Sequence, residues 1–153
     1  MPTYTLFVDM AFTAQHQLSF ENGVQEPLHE HNWKVCVAAS SEQLDKDELV
    51  IDFEALKYLT ESILRGFQGQ RLESLEIFEN RNVSAEMLSR TLYEQLAPKL
   101  PNTVRLDFIE VTEAPGCRAR YAPQSQNPLQ VPLFLDDIDI FSPPWYNRFA
   151  FIF

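Results

Sequence analysis

The sequence predicts an α+β fold, a four-stranded antiparallel sheet with two helices on one face. Three observations carry that reading. Segments near both ends of residues 3–122 are rich in β-branched and aromatic residues with partial alternation. Two segments between them repeat apolar residues every three or four positions. The resulting order is strand, strand, helix, helix, strand, strand, and such a sheet and its helices bury one shared apolar interface. A chain of 153 residues, 45% of them hydrophobic, is enough for one such core.

The elements follow in order. Residues 3–12 (TYTLFVDMAF) read as a strand, and residues 31–40 (HNWKVCVAAS) as a second, the two joined like a hairpin across a polar segment ending at Pro27. Asp52 is suited to N-cap a helix whose apolar face is Phe53, Leu56, Leu59, Ile63 and Phe67. A second helix starts near Ser84. Glu86 sits in its first turn, where the helix dipole favours a carboxylate, and Leu88, Leu92 and Leu96 form its stripe. Residues 103–113 alternate as a strand with Val104, Leu106, Phe108 and Glu110 on one side, and residues 118–122 form a short fourth strand. Residues 1–122 thus make one domain. Residues 123–153 read as an extension, holding five of the ten prolines, an acidic patch (Asp136, Asp137, Asp139) and an aromatic end. Trp145, Tyr146, Phe149 and Phe151 are expected to pack on the domain or on a neighbouring subunit.

The formal net charge is -10, which disfavours nucleic acid and anionic membranes as partners of the whole surface. No stretch approaches the ~20 apolar residues of a membrane span, and the start does not read as a signal peptide. Two cysteines, Cys36 and Cys117, make no disulfide framework, and Cys36 in VCVAA reads as a small buried hydrophobe. The expected location is the cytoplasm.

The chain has three histidines, His16, His29 and His31. His29 and His31 are two apart, which on a strand aims both at one face. His16 falls just past the first strand, beside the strand carrying the other two. Three imidazoles on one face suit a zinc that keeps a position open for substrate. An H-x-H pair alone is a weak motif, and two solvated histidines at a strand end are its ordinary form. The added weight comes from all three histidines falling where one site can use them.

Phe12-Thr-Ala-Gln-His16, Leu28-His29-Glu-His31-Asn32-Trp33 and Val50-Ile-Asp52-Phe53-Glu-Ala-Leu56-Lys57 resemble, in order and spacing, motifs of the 6-pyruvoyltetrahydropterin and 6-carboxytetrahydropterin synthases. So do Asn82-Val-Ser84-Ala-Glu86 and the segment Glu113–Tyr121. The resemblance implies the tunnelling fold (ββααββ), zinc held by His16, His29 and His31, and Glu113 anchoring a pterin ring. It also implies a homo-oligomer, trimer or hexamer, with active sites between subunits. The implied activity is a lyase acting on 7,8-dihydroneopterin triphosphate or a related pterin.

The departures concern catalysis. Where such enzymes usually carry a cysteine stands Gln25, which cannot transfer protons at neutral pH. Glu26, three residues before His29, resembles a variant branch in which a glutamate replaces that cysteine and 6-hydroxymethyl-dihydropterin is released. It is the candidate proton shuttle. The family's Asp-His dyad falls on Gln68 and Gly69, and Glu73, Glu76 and Glu79 nearby read as a solvated face. Glu30, in place of the family's glycine, points away from the metal face. A second reading therefore stays open: a catalytically degenerate homologue that binds zinc and pterin as a binding or assembly subunit.

Overall fold

The computed structural model describes residues 3–123. The extension beyond Pro123, with Trp145, Tyr146, Phe149 and Phe151, lies outside the described residues. β1 (Tyr4–His16) and β2 (His29–Ser41) lead to α1 (Phe53–Leu64), α2 (Ala85–Leu96), β3 (Arg105–Ala114) and β4 (Cys117–Tyr121). The strands form one antiparallel sheet in the order β1-β2-β3-β4, and both helices pack into a single core with it.

Both helices start where the capping residues put them. Asp52 accepts from the backbone N–H groups of Glu54 and Ala55, and Ser84 accepts from that of Met87. Each satisfies donors the first turn otherwise leaves unpaired. Leu88, Leu92 and Leu96 are buried in one core cluster that also holds Trp33, Val35 and Val37 of β2 and Ile109 and Val111 of β3.

Four sequence expectations need correction. β1 does not stop at Phe12. It pairs with β2 through to His16↔His29, so His16 is its last residue. On α1, Phe53 is 53% exposed and Thr60 is buried instead, while Phe67 joins the core from beyond the helix end. On β3, the partners of Ala38 and Ala39 are Phe108 and Leu106, so Asp107 is an extra residue in a bulge. A bulge shifts the alternation by one. Leu106 therefore faces the core, but so do Ile109 and Val111, while Phe108 and Glu110 turn to the open face beneath Arg120. Cys36 also lies on that open face, half-buried, opposite Asp9 and Glu110. Burial, then a hydrogen bond to Asp9, pushes its thiol up to about 11, which keeps it unreactive near neutrality.

Among the described residues, no helix is long and apolar enough to cross a membrane. The packing yields a direct test. Leu88→Ala should cost about 2–5 kcal/mol in urea unfolding, because Leu88 is fully buried. Phe53→Ala should stay within about 1 kcal/mol of wild type, as an exposed position does.

Candidate metal centre and its neighbouring clefts

Strand parity builds the centre. His16 faces His29 across the β1–β2 ladder, and His31 faces Ala14, so all three imidazoles share the face that carries Phe12 and Trp33. Glu113 follows Ile109 and Val111 at the same parity on β3. It is the extra residue of a second bulge, where Thr112 pairs with Arg118 and Ala114 with Cys117. Glu30 pairs with Gln15 and has the opposite parity, as expected.

The four side chains converge. Ligand atoms of His16, His29, His31 and Glu113 all lie within 4.8 Å of one another. Glu113 Oε1 is 3.3 Å from His31 Nε2 and 3.6 Å from His16 Nε2. Ring centroids of the three histidines are 4.5–5.1 Å apart. Trp33 lies 4.9 Å from the His16 ring and 5.3 Å from the His31 ring, closing the core side of the site. Its Nε1 donates to the Ala14 carbonyl.

The hydrogen bonds fix which nitrogens are free. His16 Nδ1 lies 2.8 Å from the Val83 carbonyl, and His29 Nδ1 lies 2.7 Å from the Pro27 carbonyl. A carbonyl only accepts, so in each ring Nδ1 carries the proton and Nε2 offers a lone pair. His16 Nε2 and His31 Nε2 are buried without hydrogen-bond partners. An unpaired buried polar atom costs about 1–3 kcal/mol. For His16 and His29 the contact between Nδ1 and a carbonyl is the kind of support that orients a metal-binding imidazole. The residues fit a divalent cation with a preference for nitrogen donors.

Two clefts flank the centre. One, of about 350 Å³, is lined by His31, Asn32, Lys34, Thr112, Glu113 and Pro115. The other, of about 450 Å³, lies beyond His16 and includes Gln17, Ser19, Arg71, Glu73, Arg81 and Asn82. Glu26 is part-buried in the loop before His29. Its N–H donates to the Leu18 carbonyl, and its own carbonyl accepts from Gln17 Nε2. Gln25 is exposed and spends its amide on Ser19 Oγ. Gln68 and Gly69 serve β1, since Gln68 Oε1 accepts from the Thr13 N–H and the Gly69 N–H donates to the Thr13 carbonyl.

Glu73 corrects the sequence reading. Its side chain is 16% exposed, Oε1 accepts from the Gln17 N–H, and Oε2 is buried without a partner. That contact spans 56 residues, so no local pattern announces it. Arg71 and Arg81 in the same cleft were also missed. Neither belongs to a motif, and the turn between the helices brings them together.

Burial lowers the pKa of His31. Glu113 opposes that effect, His16 and His29 reinforce it, and Glu26 is close enough to oppose it weakly. The unfolded chain therefore binds the His31 proton more readily than the folded one. Stability from this group is complete above about 6.5 and is lost as pH falls below that value. In chelator, the wild type should lose more stability than His31→Gln between pH 7.5 and 5.5. Urea midpoints at both pH values measure the difference.

The comparisons with known proteins agree with this architecture. A family model described as 6-pyruvoyl tetrahydropterin synthase matches residues 5–124. No curated protein sequence matches the chain. Among solved structures, the Caenorhabditis elegans 6-pyruvoyl tetrahydropterin synthase is similar with a TM-score of 0.69 at 20% identity, over 81% of this chain and 98% of that one. The Plasmodium vivax synthase gives 0.65 at 18% identity, over 79% and 98%. An uncharacterized protein from Wolinella succinogenes gives 0.64 at 16% identity, over 81% and 100%. At these identities the structures speak for the fold. The family model, matched over most of the chain, shows that this protein belongs to the 6-pyruvoyl tetrahydropterin synthase family.

Proposed function

We propose that the chain is a zinc-dependent lyase that acts on 7,8-dihydroneopterin triphosphate or a related pterin, working as a cytoplasmic homo-oligomer. The observation that carries this reading is the convergence of His16, His29 and His31 beside Glu113, with the Nε2 atoms of His16 and His31 buried and unpartnered. His16, His29 and His31 would hold the zinc, with Glu113 within reach of the same centre. When bound, zinc supplies a Lewis acid that polarises oxygens on the pterin side chain.

The chain's own residues do the remaining work. The cleft of about 350 Å³ beside Glu113 falls in the range of small-molecule pockets. A carboxylate there can accept two hydrogen bonds from the N–H edge of a pterin ring. Trp33 and the buried His16 keep water from the core side of the centre. Glu26, acting as proton acceptor, would take a proton from the substrate side chain. A glutamate is a catalytic residue of the Plasmodium vivax synthase, which supports that role. Oligomerisation is supported by the edges of β1 and β4, which carry no further strand among the described residues and invite one.

One observation favours the second reading, a degenerate binding or assembly subunit. Gln68 and Gly69 stand where the family carries its dyad, and both are committed to backbone pairing with β1. A single experiment separates the readings: product analysis after incubating the zinc-loaded protein with 7,8-dihydroneopterin triphosphate. The lyase reading expects 6-hydroxymethyl-dihydropterin and a loss of about 10²–10⁴-fold in rate for Glu26→Gln at unchanged zinc content. Pterin binding without turnover would leave the second reading standing. Metal analysis should find about one zinc per chain, and His29→Ala should abolish it. Sedimentation should find a trimer or hexamer.

A further inference from the structure

Seven arginines lie among the described residues, and five of them have a carboxylate oxygen within 3.5 Å. The other two are Arg71 and Arg81, and both line the cleft beyond His16. Arg71 Nε is 3.9 Å from Glu73 Oε2, the outer limit of an ion pair. Arg81 makes no ion pair among the described residues, and its guanidinium rests 3.8 Å from Met87 Sδ. In a chain of net charge -10, two guanidiniums in one concavity, neither with a carboxylate oxygen within 3.5 Å among the described residues, call for an explanation.

We propose that this cleft is a binding site for a polyphosphate anion, with Arg71 and Arg81 as its charged clamps. Guanidiniums match phosphate oxygens with paired donors and stay charged at any working pH. The walls are fixed in advance. Ser19 and Asn82 exchange two hydrogen bonds across 63 residues, Ser19 N–H to Asn82 Oδ1 and Asn82 Nδ2 to the Ser19 carbonyl. Arg71 Nη2 donates to Gln17 Oε1 at 3.0 Å, which orients the guanidinium before any ligand arrives. Glu73 is the one carboxylate in the lining, and its side chain is part-buried with Oε2 turned inward, while both arginines are exposed. Positive charge therefore faces solvent. Glu76 and Glu79 line an adjoining cleft that shares Glu73 and Asn80, and acidic groups farther off are screened over roughly 8 Å at physiological salt.

The site adjoins His16 through Gln17, so a phosphate tail on a ligand held at the histidines has a place to go. Only that identification of the carrier rests on the pterin reading. The anion site itself needs neither metal nor pterin, and free inorganic polyphosphate carries the same chemistry.

Calorimetry of the metal-free full chain with inorganic tripolyphosphate tests the site. The wild type should bind, and Arg81→Ala should weaken binding about tenfold or more. Arg81→Lys should keep part of the affinity, and Arg65→Ala, on the far end of α1, should stay within about twofold. Among the described residues the Arg81 side chain makes no hydrogen bond or ion pair beyond Met87, so its variant should fold, and circular dichroism checks that. No binding by the wild type, or equal losses in Arg65→Ala and Arg81→Ala, overturns the proposal. A second arm identifies the carrier by comparing 7,8-dihydroneopterin triphosphate with 7,8-dihydroneopterin on zinc-loaded protein. Selective weakening of the triphosphate by Arg81→Ala assigns the site to the ligand's tail, and equal affinities assign it to free polyphosphate. If tripolyphosphate binds through Arg81 while neither pterin binds, the cleft stands and the pterin reading falls.

Discussion

β1 and β2 run antiparallel for thirteen uninterrupted residue pairs, from Tyr4↔Ser41 to His16↔His29. Side chains alternate along each strand, so one register decides the face of every residue in both. A slip of β2 by one position would send His29, His31 and Trp33 together to the open face and leave His16 alone on the core side. The buried run of Trp33, Val35 and Val37 forbids that slip, since it would expose the same residues to water. The histidines thus inherit their placement from the core beneath them. Hydrophobic burial also offsets the cost of holding two imidazole nitrogens unpaired.

The two bulges in β3 complete what the register begins. The first, at Asp107, shifts β3 by one residue, so Ile109, Val111 and finally Glu113 fall on the helix-covered face. The displaced Asp107 is satisfied by Ser40 Oγ and Arg105 Nε. The second, around Glu113, ends regular pairing with β4 where the carboxylate reaches the histidines. Without the first bulge, a regular strand with Leu106 in the core would place Glu113 on the wrong side of the sheet. A packing irregularity in mid-strand and a polar contact at the strand's end are two parts of one arrangement.

Much of this was legible in the sequence because it is written in local patterns. Caps act over three residues, which makes Asp52 and Ser84 readable. Leu88, Leu92 and Leu96 follow the helical repeat, and His29 and His31 follow the strand repeat. What escaped depends on partners far along the chain. The alternation of residues 104–110 looks regular, and only the pairing with β2 reveals Asp107 as an extra residue. Phe53 fits an apolar stripe, yet it sits at the first helical position, where the core no longer reaches. Glu73 stands in a run with Glu76 and Glu79 that resembles a solvated face. Its burial comes from the Gln17 N–H, which the fold delivers.

Gln17 shows how the chain holds its site without the family's dyad. Its backbone N–H donates to Glu73, its amide N–H₂ donates to the Glu26 carbonyl, and its amide oxygen accepts from Arg71. The residue after His16 thereby ties the loop of Glu26 to the segment between the helices. Gln68 and Gly69 add a second seam, tying that segment to Thr13. Gln68 and Gly69, where the resemblance places the family's dyad, are engaged with the backbone of Thr13. Networks of this kind gain from mutual polarisation and resist piecemeal loosening. The price of the exchange is chemical versatility: among the carboxylates and imidazoles at the centre, Glu26 alone is neither crowded against the histidines nor one of them. On the proposed reading, proton transfer by Glu26 would depend on a loop that Gln17 ties to β1.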